Sequence, residues 1–333
     1  MTRAVTLRDV AARAGVSVAT ASNALNKPAR VAAETRAKVL DAAEWLGYEP
    51  LVTAGTPSGT RRIGVIAPFT TYTSFSERLK GILSVVSVDQ IETIVFDHPS
   101  ASRSPSPRLA TLPFSGNLDG LVIMGVPVDT ELSTRIVERQ LPTVLIDTDH
   151  PMLTSIVLDE VFGAKIAVDH LVERGFERFV YVTEGQVSKA YISHGRKRLA
   201  GFTKALADHG IGEDRIARIT ARAGDVRAGV AAADVLAEKS QRYRVGVLAG
   251  HDTLAAGTVA GLRERDVDVP GRVGVIGWDG GDLVEALGLT TIRQPLGESG
   301  RLGAERLIAL LKDLDTPVER VGLRPVLRIG VTT

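Results

Sequence analysis

No cysteine occurs among the 333 residues, which excludes disulfides, thiolate metal ligands and cysteine nucleophiles. A net charge is missing too. Forty Lys and Arg stand against 39 Asp and Glu, a formal +1 that argues neither for nor against a polyanionic partner. No apolar run approaches the ~18–20 residues of a membrane helix. The opening "MTRAVTLRDVAARAG" lacks the basic-then-apolar order of an export signal. A cytoplasmic protein with no membrane partner is expected. Also absent are G-x-G-x-x-G after the first apolar run, G-x-x-x-x-G-K-[ST] and G-x-S-x-G. His251 and Asp252 adjoin, but no partnered nucleophile is evident. An enzyme is therefore disfavoured, and neither cofactor nor metal is expected.

What is present is unevenly distributed. Residues 1–38 carry seven cations against two carboxylates, a local +5 that suits either a polyanion-binding segment or a solvated helical surface. Within this stretch and just beyond it, three short helices are expected. "TLRDVAARAG" spaces Leu7, Val10, Ala11 and Ala14 on one face, with Thr6 as cap and Gly15 as stop. Ser17 caps a second helix from Val18 to Leu25, and "AETRAKVLDAAEWLGY" makes the third. "LVTAGTPSGT" (51–60) reads as a linker. From Arg61 onward, Val- and Ile-rich runs such as "RRIGVIAP", "DGLVIMGV", "ERFVYVTEG" and "GRVGVIGWDGG" alternate with amphipathic helical stretches. That alternation means βαβ units and parallel sheets, too many for one small sheet, so two similar lobes are expected.

In doubly wound sheets, ligands sit beyond the carboxyl ends of the strands. The residues that follow the apolar runs are Pro68–Phe69, Asp97–His98, Asp147, Glu184, His251–Asp252 and Trp278–Asp279. Carboxylates, imidazole and rings at one edge suit a polyhydroxylated small molecule. Capping by each Asp, and core packing by each ring, are the alternatives.

The second helix poses its own question, because Val18, Ala19, Thr20, Ala21, Ser22 and Asn23 give it almost no bulk. A helix-turn-helix accounts for this. Ala11 and Ala14 permit close approach, Gly15 makes the turn and Val16 fills the space between the helices. The major groove is ~12 Å wide, so slim side chains let the helix backbone come close to it.

At this point the stretch "VTLRDVAARAGVSVATASNALNKPARVAAETRAKVLDAAEWLGYEP" resembles the N-terminal domain of the lactose-repressor (LacI/GalR) family. The resemblance continues through "VLDEVFGAKIAVDHLVERGFERFVYVTEG", "RKRLAGFTKALADHGI", "GHDTLAAGTVAGLRERDVDVPGRVGVIGWDG" and "LTTIRQPLGESGRLGAERLIALL", nearly the whole chain. It implies a small all-α helix-turn-helix head (1–50), a linker or hinge (51–61) and an α/β two-lobed periplasmic-binding-protein-like domain (62–333) with doubly wound parallel sheets. The first lobe is expected at about 62–158 plus 293–320, the second at about 159–292 plus 321–333. The implied function is a transcription regulator, a repressor. Its partners would be a second copy of the chain, a pseudo-palindromic double-stranded operator and a small effector. A sugar or sugar derivative is the first choice of effector and a nucleoside or purine the second. With no apolar heptads after "LRPVLRIGVTT", no tetramerisation helix is expected.

By the same resemblance, Val18 and Ala19 face base edges with Asn23 one turn on. Thr6, Ser17, Thr20, Ser22, Asn26 and Thr35 match phosphate-holding positions, and Arg30 a further contact. Asn23 departs from the usual Arg. The linker departs as well, placing Gly55 and Pro57 where relatives carry the Arg and Leu of a hinge helix. Gly and Pro cost a helix ~1 and ~3 kcal/mol, so weaker bending of the operator, or weaker binding to it, is expected. In the effector domain, Arg198 of "RLAGF", Asp147, Asp279 and Gln294 match pocket positions, and His251 stands where Asn is common. Phe69, Phe75, Tyr191 and Trp278 are the candidate stacking surfaces, Val226 standing where relatives place a ring.

Overall fold

The computed structural model describes residues 5–26, 31–46, 48, 61–100, 104, 118–187, 193–281 and 283–333. The chain divides into two compact units, a helical head and a larger α/β body that starts at Arg61. The expected hinge positions Gly55 and Pro57, with all of 51–60, lie outside the described residues, as does most of the Ser/Pro stretch at 101–108.

The head holds α1 (Leu7–Ala14), α2 (Val18–Asn26) and α3 (Ala33–Leu46). The Asp9 carboxylate accepts the Thr6 amide at 2.8 Å and the Thr6 hydroxyl at 2.6 Å, which fixes the start of α1. Gly15 ends α1 at φ 66°, ψ 35°, a left-handed conformation that a side chain would resist, and its amide reaches back to the Ala11 and Ala12 carbonyls. Ser17 then caps α2, its Oγ accepting the Thr20 amide at 3.1 Å. The core is thin: Val10, Ala11, Ala21, Ala24, Val39 and Ala42 are buried together. Alanine supplies most of it, so the helices pack closely at the expense of buried area.

In the body, one lobe is built from β1 (Arg62–Ala67), α4 (Ser74–Val86), β2 (Glu92–Asp97), β3 (Gly120–Met124), α5 (Thr130–Glu138), β4 (Thr143–Ile146) and β5 (Thr154–Leu158). The chain then enters the second lobe. That lobe comprises α6 (Glu160–Glu173), β6 (Arg178–Glu184), α7 (His194–Asp208), β7 (Ile216–Ala221), α8 (Val226–Ser240), β8 (Val245–Ala249), α9 (Asp252–Arg263), β9 (Val273–Asp279), α10 (Leu283–Leu287) and β10 (Thr290–Arg293). It returns to the first lobe for α11 (Leu296–Lys312) and β11 (Arg320–Leu323), and ends in the second with β12 (Val326–Arg328).

The strand orders are β11-β5-β4-β3-β1-β2 and β12-β10-β9-β8-β6-β7. Every pairing is parallel except β10 with β12, which is antiparallel. Because β11 pairs with β5 from Arg320 to Leu323, the last crossing falls after Leu323 rather than at about 320 as expected from sequence. Backbone pairing decides this: the hydrogen bonds of 321–323 go to the first sheet.

Both faces of the second sheet are covered. Val247 and Val275 pack with Leu236, Leu254 and Leu262, while Tyr181, Leu248 and Ile276 pack with Leu171 and Phe202. In the first lobe Val65, Val122 and Val144 meet Ile82, Leu307 and Ile308. Each such side chain contributes about 1.5–3 kcal/mol by leaving water. Helix α4 lies backbone to backbone on α11, since a Cβ on Gly81 would stand 2.0 Å from the Gly297 carbonyl oxygen. That approach fixes where α4 presents its buried side chains. Among the described residues, no helix is long and apolar enough to cross a membrane.

Candidate functional site

The carboxyl ends of β1, β3, β4, β6, β8 and β9 converge on a cleft of about 800 Å³, its open part included, between the two lobes of the body. The next residues along the chain line it: Pro68, Gly125, Asp147, Gly250 and His251, with Glu184 and Asp279 at the ends of their own strands. Two of these residues hold unusual backbone. Asp147 has φ 59° and Asp279 φ 118°. The second lies outside the region that even Asp tolerates, a strain of order 1–3 kcal/mol that surrounding contacts must hold. Asp252 does so. Its carboxylate accepts the amides of Gly280 at 2.7 Å and Gly281 at 3.2 Å and the Thr291 hydroxyl at 2.6 Å, clamping the turn after β9.

Two guanidiniums organise the cleft. Arg78, on the buried face of α4 and 2 % exposed, pairs with Asp147 and donates to Gln294 Oε1 at 3.1 Å and to the Ser74 carbonyl at 3.2 Å. Gln294 in turn donates to Asp279 Oδ1 at 2.5 Å. A chain of contacts thus runs from the first lobe through the β10–α11 connection into the second. Arg198 of α7 is held on both sides, donating to Glu160 at 2.7 and 3.2 Å and to the Gly250 carbonyl at 2.6 Å, with its carbon 4.4 Å from the Trp278 ring centre. His194 adds a 2.9 Å bond to Glu160.

Burial shapes the protonation states. It pushes Asp279 up to about 7 against the pull of Arg198, with Asp252 reinforcing the rise. Asp252 itself is raised by burial to about 6. For Glu160, burial opposes ionisation, but Arg198 and His194 together outweigh it and hold the acid at about 2. His251 is pushed down to about 4 by burial and by the Arg198 charge, so it is neutral at physiological pH. Its Nδ1 accepts the Leu254 amide at 3.4 Å as the cap of α9, which leaves the proton on Nε2. That Nε2 is buried without a partner.

Residues 6–50 match bacterial regulatory proteins of the lacI family, and residues 168–333 match a periplasmic binding protein-like domain. The repressor PurR of Vibrio atlanticus is 28 % identical over 317 residues, covering 93 % of each chain. A LacI-family transcriptional regulator from Silicibacter pomeroyi superposes with a TM-score of 0.70 at 26 % identity, over 98 % of this chain and 99 % of that one. One from Enterococcus faecium, solved with bound ribose, gives a TM-score of 0.68 at 23 % identity over 82 % of this chain and 98 % of that one. The chain carries a lacI-family head followed by a periplasmic binding protein-like domain, and resembles the lacI-family regulators over nearly its whole length. With these parts it is a DNA-binding transcriptional regulator controlled by an effector.

Of the effector residues expected from sequence, Phe75, Asp147, Arg198, His251, Asp279 and Gln294 line the cleft of this periplasmic-binding-protein-like body. Phe69 packs partly buried against the core of the first lobe instead, and Trp278 is fully buried beneath Arg198, so neither ring faces the cleft. Tyr191 lies outside the described residues. Asp97, another strand-end carboxylate, is spent locally: it accepts the Thr70 amide at 2.9 Å and hydroxyl at 2.8 Å. Sequence reasoning missed Arg78, Glu160, His194 and Tyr72. Arg78 left a signal, since it sits three residues after Phe75 and four before Ile82 on the buried stripe of α4.

In the head, Ser17, Val18 and Ala19 are exposed at the start of α2, and Thr20, Ser22 and Asn23 are half-buried. Thr6 is exposed at the start of α1 and Thr35 half-buried in the first turn of α3. The Asn26 side chain and Arg30 lie outside the described residues.

Proposed function

We propose that this regulator is a dimeric repressor released from, or locked onto, a pseudo-palindromic operator by a sugar-like molecule bound in the cleft between the lobes. The observation that carries the effector reading is the cleft's polar lining. Its two guanidiniums are paired with Asp147 and Glu160, and hydrogen-bond valences remain at His251 Nε2, Arg78 Nε and Asp147 Oδ1. Hydroxyl groups, which donate and accept alike, suit such a lining. The ribose held by the Enterococcus faecium regulator agrees with it. At the head, Val18 and Ala19 would meet base edges with Asn23 beside them, while Thr6, Ser17, Thr20, Ser22, Asn26, Arg30 and Thr35 would hold phosphates. Effector binding favours one arrangement of the lobes over another and so shifts the population that binds DNA.

The test is a thermal-shift screen over sugars and nucleosides. A ligand at 100 times its Kd adds about 2.7 kcal/mol of stability. Gel shifts follow on the protein's own upstream DNA, with and without each hit. A hit that moves the gel shift supports the reading. A screen in which only nucleosides stabilise the protein replaces the sugar by a base-containing effector.

A further inference from the structure

The charges in the cleft bear on which sugar it takes. Counting Glu160 behind Arg198, four acids (Asp147, Glu160, Glu184 and Asp279) accompany two guanidiniums among the described residues; Asp279, pushed up to about 7 by burial, carries only part of its charge near neutral pH, so the surplus rests chiefly on Glu184. Arg78 is committed to Asp147, and Arg198 and His194 to Glu160. His251 is a neutral donor. No cation in the described lining is left without a carboxylate partner. One first-turn amide of each helix N-terminus that faces the cleft is already engaged within the protein: Ser193 Oγ takes the Arg196 amide of α7 at 3.4 Å, His251 takes the Leu254 amide of α9, and the Tyr72 carbonyl takes the Phe75 amide of α4 at 3.4 Å.

Buried polar atoms of the lining without a partner include two donors, His251 Nε2 on the second lobe and Arg78 Nε on the first, and one acceptor, Asp147 Oδ1 on the first. The hydroxyls of a polyhydroxylated ring can answer donors and acceptor alike. An anionic group answers only the donors, and meets the surplus of carboxylates.

We infer that the effector is an uncharged sugar, and that the cleft rejects its phosphorylated and carboxylated forms. This rests on the sugar reading above and narrows it.

The experiment titrates the full-length protein calorimetrically with matched probes: ribose, xylose, glucose and galactose, each beside its terminal phosphate, with glucuronate and galacturonate as the acids. The expected result is that a neutral member binds and its anionic counterparts bind at least about tenfold more weakly, the low end of what an uncompensated like charge costs in a partly buried site. A phosphate or acid that binds as well as its parent overturns the inference and leaves the sugar reading standing. A panel in which neither kind binds overturns the sugar reading itself, and the inference with it.

Asp147→Asn adds a second arm, since Asn tolerates the φ of 59° and leaves Arg78 with one charge uncompensated. With folding confirmed by its melting curve, the discrimination against phosphates is expected to narrow several-fold. Discrimination unchanged in this variant overturns the electrostatic basis of the inference.

Discussion

The phenol of Tyr72, in the turn before α4, donates to the carboxylate of Glu184 at the end of β6, and so ties one lobe to the other across the mouth of the cleft. The Tyr72 ring also meets Phe75 at 6.1 Å and His251 edge-on at 6.2 Å. Tyr72→Phe keeps those ring contacts and removes the crossing bond. A hydrogen bond to a charged group contributes about 1.5–3 kcal/mol, which bounds the shift toward separated lobes. Effector affinity should fall by roughly tenfold, in line with that energy. Small-angle scattering of the free protein should show a larger radius of gyration, with the melting temperature lowered by several degrees at most. Equal affinity and an equal radius would mean that this contact does not bias the lobes.

The buried acids set a pH dependence whose sign follows from their direction of shift. Asp279, raised by burial to about 7, binds its proton more tightly folded than unfolded. Its contribution is therefore fully present below the ordinary carboxylate range and is lost as pH rises through about 7. Asp279→Asn removes the titration while keeping an oxygen for Gln294 to donate to. Near pH 3, where Asp279 is protonated folded and unfolded, variant and parent should melt at similar temperatures. By pH 8 the variant should be the more stable of the two, and melting curves at the two values measure the change. A gap that stays constant, or narrows, would show that Asp279 titrates like an exposed acid.

His251 serves two purposes that substitution separates. Its Nδ1 caps α9 and its Nε2 carries the unpartnered proton. Asn caps well and Ala does not, a difference of about 1 kcal/mol. His251→Ala should lose roughly that much in chemical denaturation while His251→Asn retains most of it. Both should bind effector more weakly, because neither reaches as far into the cleft as the imidazole. Retained affinity in the Ala variant would remove His251 from the effector site.

The strand ends were legible because a parallel sheet leaves only one edge where chemistry can collect. Asp147, His251 and Asp279 could be placed in the cleft from that rule together with the family resemblance. Rings were harder to place. Trp278 and Phe69 follow apolar runs as ligand-facing residues do, yet Trp278 is the floor under Arg198 and Phe69 belongs to the core of its lobe. Side-chain direction at a strand end depends on the local turn, which a residue string does not carry. Arg78 and Glu160 escaped because their roles exist only as pairs whose members are far apart in the chain, with Asp147 and Arg198. Edge strand β7 has its apolar residues interrupted by Arg218 and Thr220, and β12 is only three residues long, so neither gives an apolar run to notice.

The slender face of α2 carries the last prediction. Ala21 and Ala24 turn inward against α1 and α3, while Val18 and Ala19 are exposed in the first turn and Asn23 stands half-buried one turn later. Asn pairs in bidentate fashion with adenine N6 and N7, and Arg with guanine O6 and N7, each good pair discriminating by about 1–3 kcal/mol. Asn23→Arg should therefore move base preference from A toward G at one symmetric position of each half-site. The added cation should also steepen the fall of affinity with salt, since one more charge near the duplex releases more counterions. An operator library varied at every half-site position, bound at two salt concentrations, reads both effects. Identical preferences for parent and variant at all positions would mean that Asn23 does not face the bases, and a different register of α2 on the duplex would follow.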